Sequence, residues 1–360
     1  MQRLSIDINT SHNNFTLLRI LAASLVLFSH SYALLNIPSE EPLGVLTGGT
    51  NFGELAVSIF FVISGFLVTA SLQRSNSALN YLKNRSLRIF PGLIVVVLFA
   101  DFILGPLLTT KSFAEYFVDP MTRNYLNNIV LYDLQYNLSG VFELNVWGRA
   151  VNGSLWTLPM EFTAYLMLAV IFLFRLCRPW FVMVVFTVLG MMSIKLIQLF
   201  HLEMPSYLSL PLVDTVKFWV FFFAGSLIYL LREQISFNYI YFFCSAGLWW
   251  SAFQTPSFHV LNVLLLPYMV IFLVYMPMPA LSEWLETHVG DISYGIYLYA
   301  FPIQQAVIHL TNNKMNFALF NIITFVITVF LAYLSWQFVE KPALKFKKFS
   351  LWKSSHTHGV

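Results

Sequence analysis

Residues 15–35 read FTLLRILAASLVLFSHSYALL, an apolar run interrupted by one arginine and one histidine. A helix of roughly 20 predominantly apolar residues crosses a bilayer, so this run is long enough to span one. Arg19 and His30 lie inside it, and ionisable groups at membrane depth are costly unless they face the protein interior or a wet cavity. Eleven residues at about 100° each come to roughly 20° beyond three full turns, so both side chains share one helix face, about 16 Å apart along the axis. That face carries a permanent cation near one membrane surface and a titratable imidazole deep inside. Two blander readings stand beside this one: Arg19 snorkels to the headgroups, or His30 is a hydrogen-bonded helix-packing residue.

The 360-residue chain is 58% hydrophobic and only 10% charged, with a mean hydropathy of +0.70. A soluble domain is about 25% charged, so this is a polytopic membrane protein. The net charge, 20 minus 17 or +3, is too weak and dispersed for a nucleic-acid surface. Cys177 and Cys244, the only cysteines, fall in or at the end of apolar runs. They indicate neither a disulfide framework nor a zinc site, no metal is expected, and both read as packing residues. Residues 1–13 are polar, and the run that follows exceeds a signal h-region, carries Arg and His, and lacks a small-residue cleavage site. It reads as a retained helix.

Apolar segments of spanning length recur at 15–35, 52–72, 89–108, 155–176, 180–200, 213–231, 236–253, 259–276, 291–311 and 317–339. The expected fold is an all-α bundle of about ten transmembrane helices. The break at 253–259 is the weakest, and its two flanking spans could form one irregular hairpin. Both termini then share a side, which the positive-inside rule identifies as cytoplasmic. Arg74, Lys83, Arg85 and Arg88, then Arg175 and Arg178, then Lys341, Lys345, Lys347, Lys348 and Lys353 fall in alternate connections, whereas 36–51 and 254–258 have no cation. Lys111, Arg123 and Arg149 in the long connection 109–154, and the acidic 277–290, run against this pattern.

With that orientation Arg19 lies about 7 Å inside the cytoplasmic surface and His30 about 24 Å in. Glu161, in NGSLWTLPMEF at the head of the fourth span, falls at a depth similar to that of His30, where a carboxylate would fix the imidazole tautomer and raise its basicity. The alternative is a partly hydrated helix-end residue. Ser58, Ser64, Gly65 and Thr69 make the second span one that permits close helix approach. In YLKNRSLRIFPG, Arg85 and Arg88 share a helix face and either grip phosphate or anchor the chain at the cytoplasmic surface. Asp101, in mid-span, is either a structural hydrogen-bonding group or cavity-lining. Tyr116, Tyr125, Tyr132, Tyr136 and Trp147 in 109–154 suit either sugar binding or an interfacial aromatic belt.

Several stretches together resemble the membrane-bound acyltransferase 3 family, whose members O-acylate bacterial polysaccharides and related glycoconjugates. LRILAASLVLFSH resembles its first-helix Arg-x10-His motif, GELAVSIFFVISGFL its second-helix signature, and YLKNRSLRIFPG its arginine-bearing segment. GSLWTLPMEF, GDISYGIYLYAFP and FVEKP resemble its later blocks, in the family's order, from about residue 15 to 342. Two departures stand out. Tyr297-Leu298-Tyr299-Ala300 lacks the His that many relatives carry after Tyr-Leu-x, and Thr157 and Pro159 replace the residues usual in the fourth-span block.

The resemblance implies one transmembrane acyltransferase domain over 1–345, followed by a short basic cytoplasmic tail, 346–360, in place of the esterase-like domain that some relatives add. It implies an enzyme of the bacterial inner membrane using acyl-CoA, by default acetyl-CoA, as co-substrate with no permanently bound cofactor. The acceptor would be a hydroxyl of a lipid-linked or nascent glycan, and the partners otherwise membrane lipids. On this reading Arg19, Arg85 and Arg88 bind the donor's phosphates and His30 is the general base oriented by Glu161. Ser64, Asp101, Trp156 and Tyr294 then line the passage. Direct attack and a covalent acyl-histidine relay both stay open. The rival classes are a proton-coupled transporter or flippase, which would also use intramembrane Arg, His, Asp and Glu but lacks an evident paired repeat here, and a structural subunit of polymer secretion.

Overall fold

The computed structural model describes residues 13–75, 77–199, 206–207 and 210–348. Among the described residues ten long helices follow the apolar runs: α1 Phe15–Leu34, α2 Phe52–Ser75, α3 Ala78–Leu108, α4 Thr157–Leu173, α5 Pro179–Leu199, α6 Leu212–Leu230, α7 Tyr239–Ser251, α8 Phe258–Tyr275, α9 Ser293–Thr311 and α10 Phe317–Lys345. The only strand pairing in the described residues, besides isolated bridges, joins Ser206–Tyr207 to Leu210–Pro211. The chain is an all-α, multi-spanning membrane protein with eight candidate transmembrane helices among the described residues.

The two helices outside that set have separate reasons. α7 has only 13 residues, too few to cross a bilayer alone, and it forms a hairpin with α8 through the turn at 252–257. α9 is long enough but more polar, because it occupies the centre of the bundle: every residue from Ser293 to Ile308 is buried. The side-chain amide nitrogens of its two glutamines donate to protein groups, while Gln304 Oε1 is buried without a partner. Gln304 Nε2 donates to the Leu27 carbonyl and to Ser31 Oγ, both at 2.8 Å, and Gln305 Nε2 donates to the Ala150 carbonyl at 2.8 Å. A helix surrounded by protein need not be as apolar as one that meets lipid.

α2 and α6 cross at the distance that small residues allow. A Cβ at Gly65 would lie 1.9 Å from the Phe222 carbonyl oxygen, and one at Gly225 would lie 2.1 Å from that of Val62. The helices therefore touch backbone to backbone, as the Ser58–Thr69 run of small residues leads one to expect. α1 packs on α2 and α9, and α9 packs on α10, so the helix bearing Arg19 and His30 lies between two central partners.

α3 starts at Ala78, well before the expected residue 89, capped by Ser77 Oγ accepting from the Asn80 amide at 3.3 Å. Arg85 and Arg88 are thus on the helix itself, with Pro91 inside it. Asp101 lines none of the three cavities described below. It lies in a π-helical turn, Ala100–Leu104, where the buried Tyr116 hydroxyl donates to its carbonyl at 2.8 Å and reaches its carboxylate at 3.4 Å. That bond ties the loop 109–154 to α3. Tyr116 and Tyr125 are fully buried and offer no sugar-binding face, whereas Tyr136 and Trp147 are exposed. Cys177 is half-buried and Cys244 exposed, both as free thiols.

The described ends of the chain lie at the same end of the bundle. Asn14 Nδ2 donates to the carbonyls of Leu273 and Met276 at 3.0 and 2.6 Å. The segment after α10 lies beside the start of α3, where Lys83 Nζ donates to the Phe346 carbonyl at 3.4 Å. Residues 1–12 and 349–360, including Lys353 of the basic tail, lie outside the described residues.

Candidate functional site

The turn before α9 and the end of α10 supply what α1 and α3 need. Gly290 has φ +77°, and a Cβ there would lie 2.0 Å from Trp336 Nε1, so only glycine makes this turn. The turn presents Asp291, whose Oδ2 accepts from both Arg19 Nη1 and Arg88 Nη2, the latter at 2.7 Å. Its Oδ1 accepts from Ser293 Oγ at 2.5 Å. A second π-helical turn, Trp336–Glu340, brings Glu340 to 3.7 Å from Arg88 Nη1, with Ser335 Oγ donating to its other oxygen at 3.1 Å. The Arg88 guanidinium also lies 5.9 Å from the Tyr294 ring centre and 5.8 Å from that of Trp336. Two cations and two carboxylates on four separate elements form one mostly buried network, in which each charge has an opposite partner.

This network walls a cavity of about 410 Å³. Arg74, Arg85 and Lys347 line it beside Arg19 and Arg88, against the two carboxylates of Glu161 and Asp291, so five cations face two anions for a balance of +3. Arg85 Nε is buried without a hydrogen-bond partner. Burial pushes the Lys347 ammonium down to about 8, and the nearby Arg85, Arg88 and Arg19 lower it further against the pull of Asp291. Ser64 and Tyr294 line this cavity as well.

His30 faces a second cavity, of about 280 Å³, with Ser29, Glu41, Glu54, Trp156, Asp214 and Tyr297 in its wall. Its Nδ1 is buried and unpartnered, and its ring meets Phe301 edge-on at 5.3 Å. Glu54 is paired with Lys217 Nζ at 2.5 Å, and Glu41 accepts from the Phe52 amide at 2.6 Å. Between the cavities lies a neck of about 50 Å³. The neck shares Arg19, Phe60, Glu161 and Tyr294 with the arginine cavity, and Val57 and Tyr297 with the histidine cavity. Arg19 and His30 therefore face one series of hollows.

The structure does not bring Glu161 to His30. Glu161 Oε1 accepts from Ser64 Oγ at 3.0 Å and from the Tyr165 hydroxyl, and it lines the arginine cavity and the neck. The reason is that α4 starts deep in the bundle. Tyr297 donates to the Ser154 carbonyl at 2.6 Å, Asn152 Nδ2 donates to the Leu298 carbonyl at 2.9 Å, and Gly153 lies against the Phe301 ring. The loop thus dips to the level of the first turns of α9 before the helix begins, which carries Glu161 down toward Arg19. Thr157, one of the departures from the family pattern, shares a 2.6 Å hydrogen bond with the Tyr297 hydroxyl. Pro159, the other, falls in the first turn of α4, where proline is tolerated.

Sequence reasoning did not single out Asp291, Glu340, Tyr165 or Lys347. A carboxylate directly after a glycine at the head of a span, as in GDISYG, was the available signal for Asp291. Lys347 read as tail, yet it lines the cavity. Among the described residues no group of His, Cys, Asp and Glu is arranged to hold a metal ion.

The acyltransferase-domain family, acyltransferase 3, matches residues 12–337. An O-acetyl transferase of Shigella phage Sf6 is 30% identical over 332 residues, covering 92% of this chain and 96% of that protein. Nodulation protein 10 of Rhizobium leguminosarum bv. viciae is 30% identical over an alignment covering 93% of this chain and 94% of that protein. No solved structure matches the chain. The match runs through every helix that builds the two cavities, and the chain belongs to the acyltransferase 3 family of membrane acyltransferases.

Proposed function

We propose that the protein moves an acyl group, acetyl by the likeness to the phage O-acetyl transferase, from acyl-CoA to a hydroxyl of a cell-surface or exported glycan. The arginine cavity faces the cytoplasm, by the positive-inside pattern, and takes the donor's phosphates. The pantetheine arm points the thioester through the neck toward His30, and the acceptor enters the histidine cavity from the other side. His30 takes the proton of the acceptor hydroxyl as its oxygen bonds to the thioester carbonyl carbon. The C–S bond breaks, and the CoA thiolate leaves and recovers the proton. Glu161, hydrogen-bonded to Ser64 and Tyr165, acts at the donor side of the neck rather than on the imidazole.

The observation that carries this reading is the series of hollows shared by a cation cluster and an unpartnered imidazole about 16 Å apart on one helix. The test is purified protein in lipid nanodiscs with labelled acetyl-CoA and a glycan acceptor, comparing wild type with His30→Ala and Arg19→Ala. Transfer by wild type, lost in both folded variants, is the expected result. Wild type that transfers nothing but moves solute across proteoliposomes would make it a transporter.

A further inference from the structure

The family match ends at residue 337, and the chain after α10 returns to the arginine cavity. Leu344, in the last turn of α10, and Lys347, just beyond it, both line it. The segment is held there by the Phe346 carbonyl, which accepts from Lys83 at the start of α3. Among the cavity's cations, Arg19 and Arg88 are neutralised by Asp291 and Glu340. Arg74, Arg85 and Lys347 form no ion pair with any described residue, and they come from α2, α3 and the segment beyond α10. Three unpaired cations gathered at one hollow repel one another, and the half-buried Arg85 guanidinium and Lys347 ammonium also lose hydration there, while Arg74 at the rim stays exposed. Such an arrangement is costly when empty and is relieved by an anion with several charges.

We infer that the segment after α10 is part of the donor site, with Lys347 a direct ligand of the phosphate groups of a CoA-type donor, completing a three-cation clasp with Arg74 and Arg85. This rests on the proposed use of the cavity for acyl-CoA. The clasp is separate from the Arg19–Asp291–Arg88 network, whose charges are already satisfied, so the two groups of cations have different tasks: the network holds the walls and the clasp holds the ligand. Lys347 lies ten residues beyond the end of the family match, at 347 against 337.

The test measures CoA binding directly, by equilibrium calorimetry on the full chain in lipid nanodiscs, for wild type, Lys347→Met and Lys347→Arg. Methionine keeps the length and packing of the side chain without its charge; arginine keeps the charge. Lys347→Met is expected to weaken CoA binding at least about tenfold, the usual scale for one charge-assisted contact, with an unchanged melting temperature. Lys347→Arg is expected to bind within about threefold of wild type. In turnover assays the methionine variant should raise the KM for acyl-CoA and leave kcat and the acceptor KM unchanged. Equal CoA binding by wild type and Lys347→Met would overturn the inference while leaving the donor reading intact. Absence of CoA binding by wild type would overturn both.

Discussion

Arg88 and Asp291, 203 positions apart in sequence, meet at 2.7 Å, and the same carboxylate oxygen also accepts from Arg19. One carboxylate thus joins α1, α3 and the turn before α9. Replacing it with an amide leaves two guanidiniums mostly buried with only Glu340 to offset them. Asp291→Asn is expected to destabilise the protein by about 3–5 kcal/mol, the range for breaking a buried ion pair from one side. Thermal unfolding in detergent checks this, and a variant as stable as wild type would show the network to be energetically idle.

Asp101 is the contrasting case. It is buried and lines none of the three hollows, and its one side-chain contact is the Tyr116 hydroxyl. Asp101→Asn preserves an acceptor for that hydroxyl and is expected to leave turnover within about twofold of wild type and stability within about 1 kcal/mol. Steady-state rates alongside a melting curve separate the two effects.

Glu161 holds its place through Ser64 and Tyr165, whose hydroxyls also lie 2.9 Å apart. Tyr165→Phe removes one charge-assisted bond and should lower kcat by about tenfold or more while sparing folding. Glu161→Gln, which removes the charge facing the neck, is expected to lower it further. If His30 were instead oriented by Glu161, both variants would shift the acid limb of the pH–rate profile, and no such shift is expected.

Val57 is shared by the neck and the histidine cavity. A larger side chain there should obstruct the route without touching the cations. Val57→Phe is expected to bind CoA as wild type does and to transfer at least about tenfold more slowly, the cost of an overpacked constriction. Undiminished transfer would mean that the acyl group takes another path.

The position of Lys347 sets a pH dependence. Its ammonium, lowered to about 8 chiefly by burial, faces Arg85 and Arg88 on α3, Arg19 on α1, and Asp291 before α9. A bound anion favours the charged form, so CoA binding raises this value and takes up a proton. Affinity should therefore be full below pH 8 and fall as pH rises above it. Calorimetry of CoA between pH 7 and pH 10 reads the slope, and Lys347→Arg, charged throughout, should flatten it.

Much of this architecture is legible in the chain because it depends on local pattern. Each of the ten apolar runs holds a helix among the described residues, eight of them candidate membrane spans, and the eleven-residue spacing put Arg19 and His30 on one face, each lining a hollow. What was not legible depends on how distant segments meet. The depth of Glu161 was counted from a loop taken to stay at the surface, but Asn152 and Ser154 are hydrogen-bonded to the early turns of α9, so the count began from the wrong level. Asp101 looked like a stray charge because its partner, Tyr116, belongs to a loop whose fold no periodicity announces. Arg85 and Arg88 read alike in sequence, yet one is paired twice and the other keeps a buried Nε without a partner.

The constriction of about 50 Å³ has Arg19 in its wall. Glu161 stands in the same wall, and Arg19 is itself tied to Asp291, so the narrowest stretch carries both signs of charge, each held by protein partners. A waist of that volume is smaller than a sugar ring, so the two larger hollows are sorted by size: a thin flexible arm fits between them and a saccharide does not.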